Sequence, residues 1–170
     1  MIISRHQKGF TLVEMVLYVS LCSIILLSSS MLLSSLLGSR IRNQTINEVN
    51  QQGFQVIQLV TQTIRNSRSI QVPTIGVSSS TLSITTGNAL VNPTVFWVSS
   101  STFMIQEGGK TPITLTNSRV VVSSLSFQNI SSASSSEKII KISFTVDYNN
   151  QSGKPEYSYT KTFNGSATLR

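Results

Sequence analysis

The chain holds two groups near its start whose types and spacing could do chemistry together. Glu14 is a carboxylate at the edge of a long uncharged apolar run, residues 15–37. Driven to the centre of a bilayer, such a group costs about 2.5–3.5 kcal/mol on insertion scales. A sequence that keeps it there needs a partner to neutralise it. Cutting the peptide bond between Gly9 and Phe10 would create that partner, a new α-amine four residues before Glu14. The Gly9–Phe10 bond is therefore the candidate for a proteolytic step, and Phe10 with Glu14 for a charge pair.

The rest of the chain offers little for catalysis. His6 is the sole histidine and precedes the cut, and Cys22, the sole cysteine, falls inside the apolar run. No intrachain disulfide can form, and Cys22 reads as a small apolar residue on a helix packing surface. The remaining exterior part lacks the usual general base, thiol nucleophile and transition-metal ligands. Its acids are Glu48, Glu107, Glu137, Asp147 and Glu156, dispersed in sequence. Glu107 and Asp147 could meet as the carboxylate pair that glycosidases need, against the plainer reading of solvated surface or cross-strand ion pairs. The stretch Asp147-Tyr148-Asn149-Asn150 is too poor in charge for more than a weak calcium site. No G-x-S-x-G elbow occurs. The N-x-S/T triplets at Asn43, Asn129, Asn150 and Asn164 are expected by chance in a chain so rich in Asn and Ser. The expectation is a protein that is not an enzyme, with no cofactor and no metal.

The elements that must position Gly9, Phe10 and Glu14 follow from hydropathy. Residues 15–37 would form a helix roughly 35 Å long, enough for a bilayer core of about 30 Å. Arg5, His6 and Lys8 precede it and should stay cytoplasmic by the positive-inside bias, which puts the bulk of the chain outside. A cleaved secretory signal fits poorly, because the run exceeds an h-region of about 7–15 residues. An uncleaved signal anchor is the other alternative, and it leaves Glu14 unexplained. The formal charge of +7 falls by two when Arg5 and Lys8 leave. The residual excess, spread over Arg40, Arg42, Arg65, Arg68, Arg119, Lys138, Lys141 and others, forms no nucleic-acid tail, so specific DNA contact is unsupported.

Nothing breaks the helix before Pro73, so it is expected over residues 10–66, roughly 85 Å in all. Residues 10–39 form its membrane half and 40–67 its amphipathic half. In the latter, Ile46, Val49, Gly53, Ile57, Val60 and Ile64 recur three or four apart and trace one face. Gly38 and Gly53 are weak points of about 1 kcal/mol each against alanine.

Beyond Ser67 the period becomes two, and residues 68–170 read as an exterior β-rich domain. Strands are expected at 81–85, 95–98, 102–106, 113–115, 120–128, 138–148 and 156–163, with a serine-rich loop at 131–136. Ile140, Ile142, Phe144 and Val146 should share one face. An α+β fold, a long helix packed on an antiparallel sheet of roughly four to seven strands, lets the two apolar faces cover each other.

Lys8-Gly9 followed by Phe10-Thr11-Leu12-Val13-Glu14 resembles the processing site of type IV prepilins and the related pseudopilins. The resemblance implies a leader of residues 1–9, removed by a prepilin peptidase at the inner membrane face, and methylation of the new N-terminal Phe10. It implies that Glu14, fifth in the mature chain, brings the subunit into register in a filament. Implied partners are other pilin or pseudopilin subunits, the peptidase and an inner-membrane assembly platform. Implied locations are the cytoplasmic membrane, then an extracellular filament or a periplasmic pseudopilus. Helix followed by sheet resembles the pilin fold over the whole chain. Segments 64–70 and 163–170 look similar to minor pilins and minor pseudopilins. The chain departs from the family in lacking a proline in the membrane half and a C-terminal disulfide loop.

Three readings of function follow. The first is a structural subunit, most simply a minor one, of a type IV pilus or a secretion or competence pseudopilus. The second is a filament-tip module that uses exposed tyrosines, Trp97 and basic residues to contact a surface, a polymer or DNA. The third is a signal-anchored exterior domain unrelated to filaments.

Overall fold

A computed structural model of the chain describes residues 9–132, 134 and 137–169. The chain divides into two compact units, Met1–Arg40 and Ile41–Arg170. Helix α1, Leu12–Arg65, has 54 residues and contributes to both. It starts at a threonine cap and ends where Ser67 Oγ donates to the carbonyl of Ile64 at 2.6 Å. In the first unit α1 is long and apolar enough to cross a membrane, and none of that stretch is buried within the protein. The basic residues Arg5, His6 and Lys8 lie outside the described residues.

In the second unit α1 buries Thr45, Val49, Gly53, Val56, Val60 and Ile64. Thr45 and Val56 thus replace the expected Ile46 and Ile57, which are half-buried. The seam runs closer to the small residues because Phe163 occupies the space over Gly53. Ile57 flanks the seam and reaches toward Gly165.

Among the described residues the strands form two antiparallel sheets rather than the single one expected. The first runs β1 (Ser67–Val72), β3 (Leu82–Thr86), β4 (Thr94–Ser99), β5 (Thr102–Glu107), β6 (Ile113–Thr114). The second runs β2 (Ser78–Ser79), β7 (Val120–Asn129), β8 (Ile139–Tyr148), β9 (Thr160–Thr168). β1 escaped the pattern reading because bulges between Ser67 and Ser69 and between Ile70 and Val72 break its alternation. β2 is too short to show a period; its pairing of Ser79 with Phe127 takes the chain into the second sheet before β3 returns it to the first.

The final strand also differs from expectation. Residues 155–157 form a 3-10 turn that begins at Pro155, which has no N–H to give a ladder. β9 begins at Thr160 and runs past Gly165, so that Thr168 pairs with Ile139. Of the expected serine-rich loop, residues 133, 135 and 136 lie outside the described residues.

β8 behaves as its alternation predicts, with Ile140, Ile142, Phe144 and Val146 fully buried. Aromatic rings join the layers: Phe96 on β4 to Phe103 on β5 at 6.3 Å between centroids, Phe103 to Phe144 at 5.6 Å, and Phe144 to Phe163 at 5.6 Å. Phe54 of α1 closes the series edge-on to Phe163 at 5.4 Å. Each fully buried ring contributes about 1.5–3 kcal/mol of transfer free energy, beside Val49, Val56, Val60 and Ile64, which α1 buries in the same core. Trp97 is half-buried opposite Met104 and belongs neither to the core centre nor to a free aromatic platform.

Candidate processing and assembly site

Gly9 and Phe10 stand before the first helical residue. Among the described residues, a β-carbon built on Gly9 meets nothing within 4 Å. Phe10 is 70% exposed. Lys8, the remaining residue of the expected cleavage site, lies outside the described residues.

Thr11 and Glu14 build the helix start. Thr11 Oγ1 accepts from the Glu14 N–H at 3.3 Å, and the Thr11 carbonyl accepts from the Met15 N–H at 3.2 Å. Thr11 is thus the N-cap and Glu14 the third helical residue, the spacing of a Thr-x-x-Glu capping pattern. A carboxylate in the first turn also faces the positive end of the helix dipole, worth typically about 0.3–1 kcal/mol where exposed. Glu14 therefore has a local role that reasoning from charge cost alone overlooked. The four-residue pattern was the available signal.

Tyr18 is the second residue missed. Its hydroxyl donates to Glu14 Oε1 at 3.4 Å, and its ring sits edge-on to Phe10 at 6.2 Å. Phe10, Glu14 and Tyr18 are successive fourth residues and so share one ridge of the helix. Glu14 is half-buried beneath them although every neighbouring side chain from Thr11 to Ser20 is exposed. The structure brings Phe10 and Glu14 onto one ridge, as their spacing implied.

Among its described residues the second unit shows no comparable constellation. Glu107 on β5 pairs with Lys110 at 3.1 Å, while Asp147 on β8, in the other sheet, accepts from the Thr160 hydroxyl. The two carboxylates weighed as a pair have separate partners. Glu48 is held by Asn117 Nδ2 at 2.6 Å and by Arg119 at 3.6 Å. One oxygen of Glu156 is buried without a hydrogen-bond partner among the described residues. No cluster of three or more His, Cys, Asp or Glu that could hold a metal ion occurs among the described residues.

Residues 4–30 match the family model of the prokaryotic N-terminal methylation motif, the prepilin-type signal of type IV pilins and pseudopilins. The match spans Gly9, Phe10 and Glu14 and ends within the apolar stretch of α1. No curated protein and no solved structure matches the chain. The motif and the apolar helix together mark a type IV pilin-like or pseudopilin-like precursor, and the helix-on-sheets arrangement is a pilin-like α+β architecture.

Proposed function

We propose that this chain is a structural subunit, in a minor role, of a type IV pilus or of a secretion or competence pseudopilus. A prepilin peptidase cuts between Gly9 and Phe10 and methylates Phe10. The subunit waits in the cytoplasmic membrane with its second unit outside and joins a filament of other pilin-type subunits through an inner-membrane platform. Domains follow this use: leader 1–9, filament-core helix 10–39, amphipathic helix 40–67, exterior β-rich part 68–170. The chain acts by polymerising and not by catalysis.

The observation that carries the reading is the coincidence of the methylation motif with an exposed Gly9-Phe10 junction directly before α1. Since Gly9 is under no steric demand among the described residues, a requirement for glycine there would come from the enzyme that cuts it. Intact-mass measurement in cells that contain a prepilin peptidase tests this. Loss of residues 1–9 with one added methyl is expected, and Gly9→Val should leave the precursor uncut. A mature protein that keeps its leader refutes the assignment in favour of a plain signal anchor. Copy number per filament then distinguishes a minor subunit from a major one.

A further inference from the structure

The loops at one end of the second sheet form an open cleft of about 420 Å³. Arg119 comes from the segment before β7, Tyr148 from the end of β8, Asn149 and Gln151 from the loop that follows, and Lys154 and Tyr157 from the 3-10 turn and its approach. A second hollow of about 370 Å³ shares Arg119 and Tyr148 and extends the surface toward Gln44 and Gln51 of α1. Volumes of this size fall within the usual range for ligand clefts.

The walls are fixed by their own bonds. The Asn149 N–H donates to the Arg119 carbonyl at 2.7 Å, and Asn149 Nδ2 donates to the Ser118 carbonyl at 3.0 Å. Asn150 Nδ2 ties the loop to the Lys154 carbonyl at 2.9 Å. The Tyr148 and Tyr157 rings stack at 6.0 Å with 24° between their planes. Against this frame, Lys154 has no ion pair and the Gln151 side chain no hydrogen bond among the described residues. Among the described residues no carboxylate lines the first cleft, and Glu156, one oxygen of which is buried, stands in sequence between the lining Lys154 and Tyr157. Glu48, which lines the second, is already engaged by Arg119 and Asn117.

From these groups we infer that the cleft binds an acidic sugar unit of a polysaccharide. The stacked tyrosines supply an apolar surface for a ring face. The amides of Gln151, Gln44 and Gln51 supply donors and acceptors for hydroxyls. Lys154 supplies the charge for a carboxylate, Arg119 being already paired with Glu48. Single-stranded nucleic acid fits less well. It needs several successive aromatic platforms along a track of cations, whereas these two rings form a single stack and the cations lining the cleft are Arg119 and Lys154. The inference is independent of leader processing.

The test uses the full chain in detergent micelles and fluorescence anisotropy with labelled alginate oligomers, a polyuronate. Neutral dextran oligomers and oligo-dT serve as alternative probes. Alginate should bind, dextran should not, and Lys154→Gln should weaken binding by about tenfold, the loss expected for one charged hydrogen bond. Tyr157→Ala should weaken it similarly, while Tyr157→Phe keeps the ring and should bind as the parent. Lys110→Gln removes an equal charge elsewhere and should change nothing; an equal loss there would reduce the effect to net charge and overturn the proposal. No alginate binding, equal binding of dextran, or tighter binding of oligo-dT would overturn it as well. Circular dichroism of each variant separates loss of the cleft from loss of the fold.

Discussion

The ring of Phe163 lies so close over Gly53 that a β-carbon on the glycine would stand 2.2 Å from its Cε2 and Cζ. Phe163 cannot swing aside freely, because Phe144 stacks on it at 5.6 Å and Phe54 meets it edge-on at 5.4 Å. Gly53→Ala gains about 1 kcal/mol of helix propensity but overpacks this contact, which typically costs about 1–3 kcal/mol. The variant should be less stable to denaturant by up to about 2 kcal/mol. An alanine variant more stable than the parent would mean that the helix does not sit against β9 in this way.

Asn129 is buried and ties the end of β7 to the segment at Pro73. Its Nδ2 donates to the Pro73 carbonyl at 2.9 Å, and its Oδ1 accepts from the Ser131 N–H at 3.2 Å and from the Ser131 hydroxyl at 2.5 Å. Asn129→Ala leaves these groups without partners and should cost about 1–3 kcal/mol. The same burial removes Asn129 as a glycan acceptor despite its N-x-S triplet. An unchanged denaturation midpoint would show that water substitutes for the side chain.

The hairpin from β4 to β5 turns through Ser100 and Ser101, with φ of 49° and 62°. Two positive φ angles define the type I′ turn, which favours Asn-Gly. Ser101→Gly relieves the side chain of this conformation, partly offset by the greater freedom of glycine in the unfolded chain. A gain of up to about 1 kcal/mol is expected. Destabilisation would mean that the Ser101 side chain holds the turn.

Much of this arrangement could be read from the chain, and the failures have a common cause. The α+β class, the helix and the buried face of β8 were legible because each rests on a period within one segment. The methylation motif over residues 4–30 was legible because it rests on spacing. β1, β2 and the split into two sheets were not, since pairing such as Ser79 with Phe127 is set by distant partners. Asn129 looked like any other asparagine because its burial depends on Pro73. Tyr18 looked like one more aromatic in an apolar run until the helix placed it over Glu14.

A chain beginning at Arg40 should be a soluble α+β monomer. It keeps the residues that the second unit buries on α1, from Thr45 to Ile64, and loses the apolar stretch that nothing in the protein covers. Circular dichroism should show both helix and strand, and the chain should sediment as one copy. Aggregation, or strand signal without helix, would count against the packing of α1 on the sheets.

Glu14 gives the most discriminating test of the assembly role. In a filament whose helices bundle away from water, an unpaired carboxylate is penalised and a paired one tolerated. The proposed partner is the α-amine of Phe10, on a neighbouring subunit or on the same helix, where Phe10 and Glu14 share a ridge. Within one chain the carboxylate also receives the Tyr18 hydroxyl, so the two contacts must be separated. Glu14→Gln removes the charge and should leave membrane level and leader cleavage intact while this subunit disappears from sheared filaments. Tyr18→Phe keeps the ring against Phe10, removes only the hydroxyl, and should leave incorporation intact. If Glu14→Gln subunits enter filaments at the parental level, the charge is dispensable. If Tyr18→Phe subunits are the ones excluded, the contact that matters lies within the helix, and the account of Glu14 as an intersubunit register group fails.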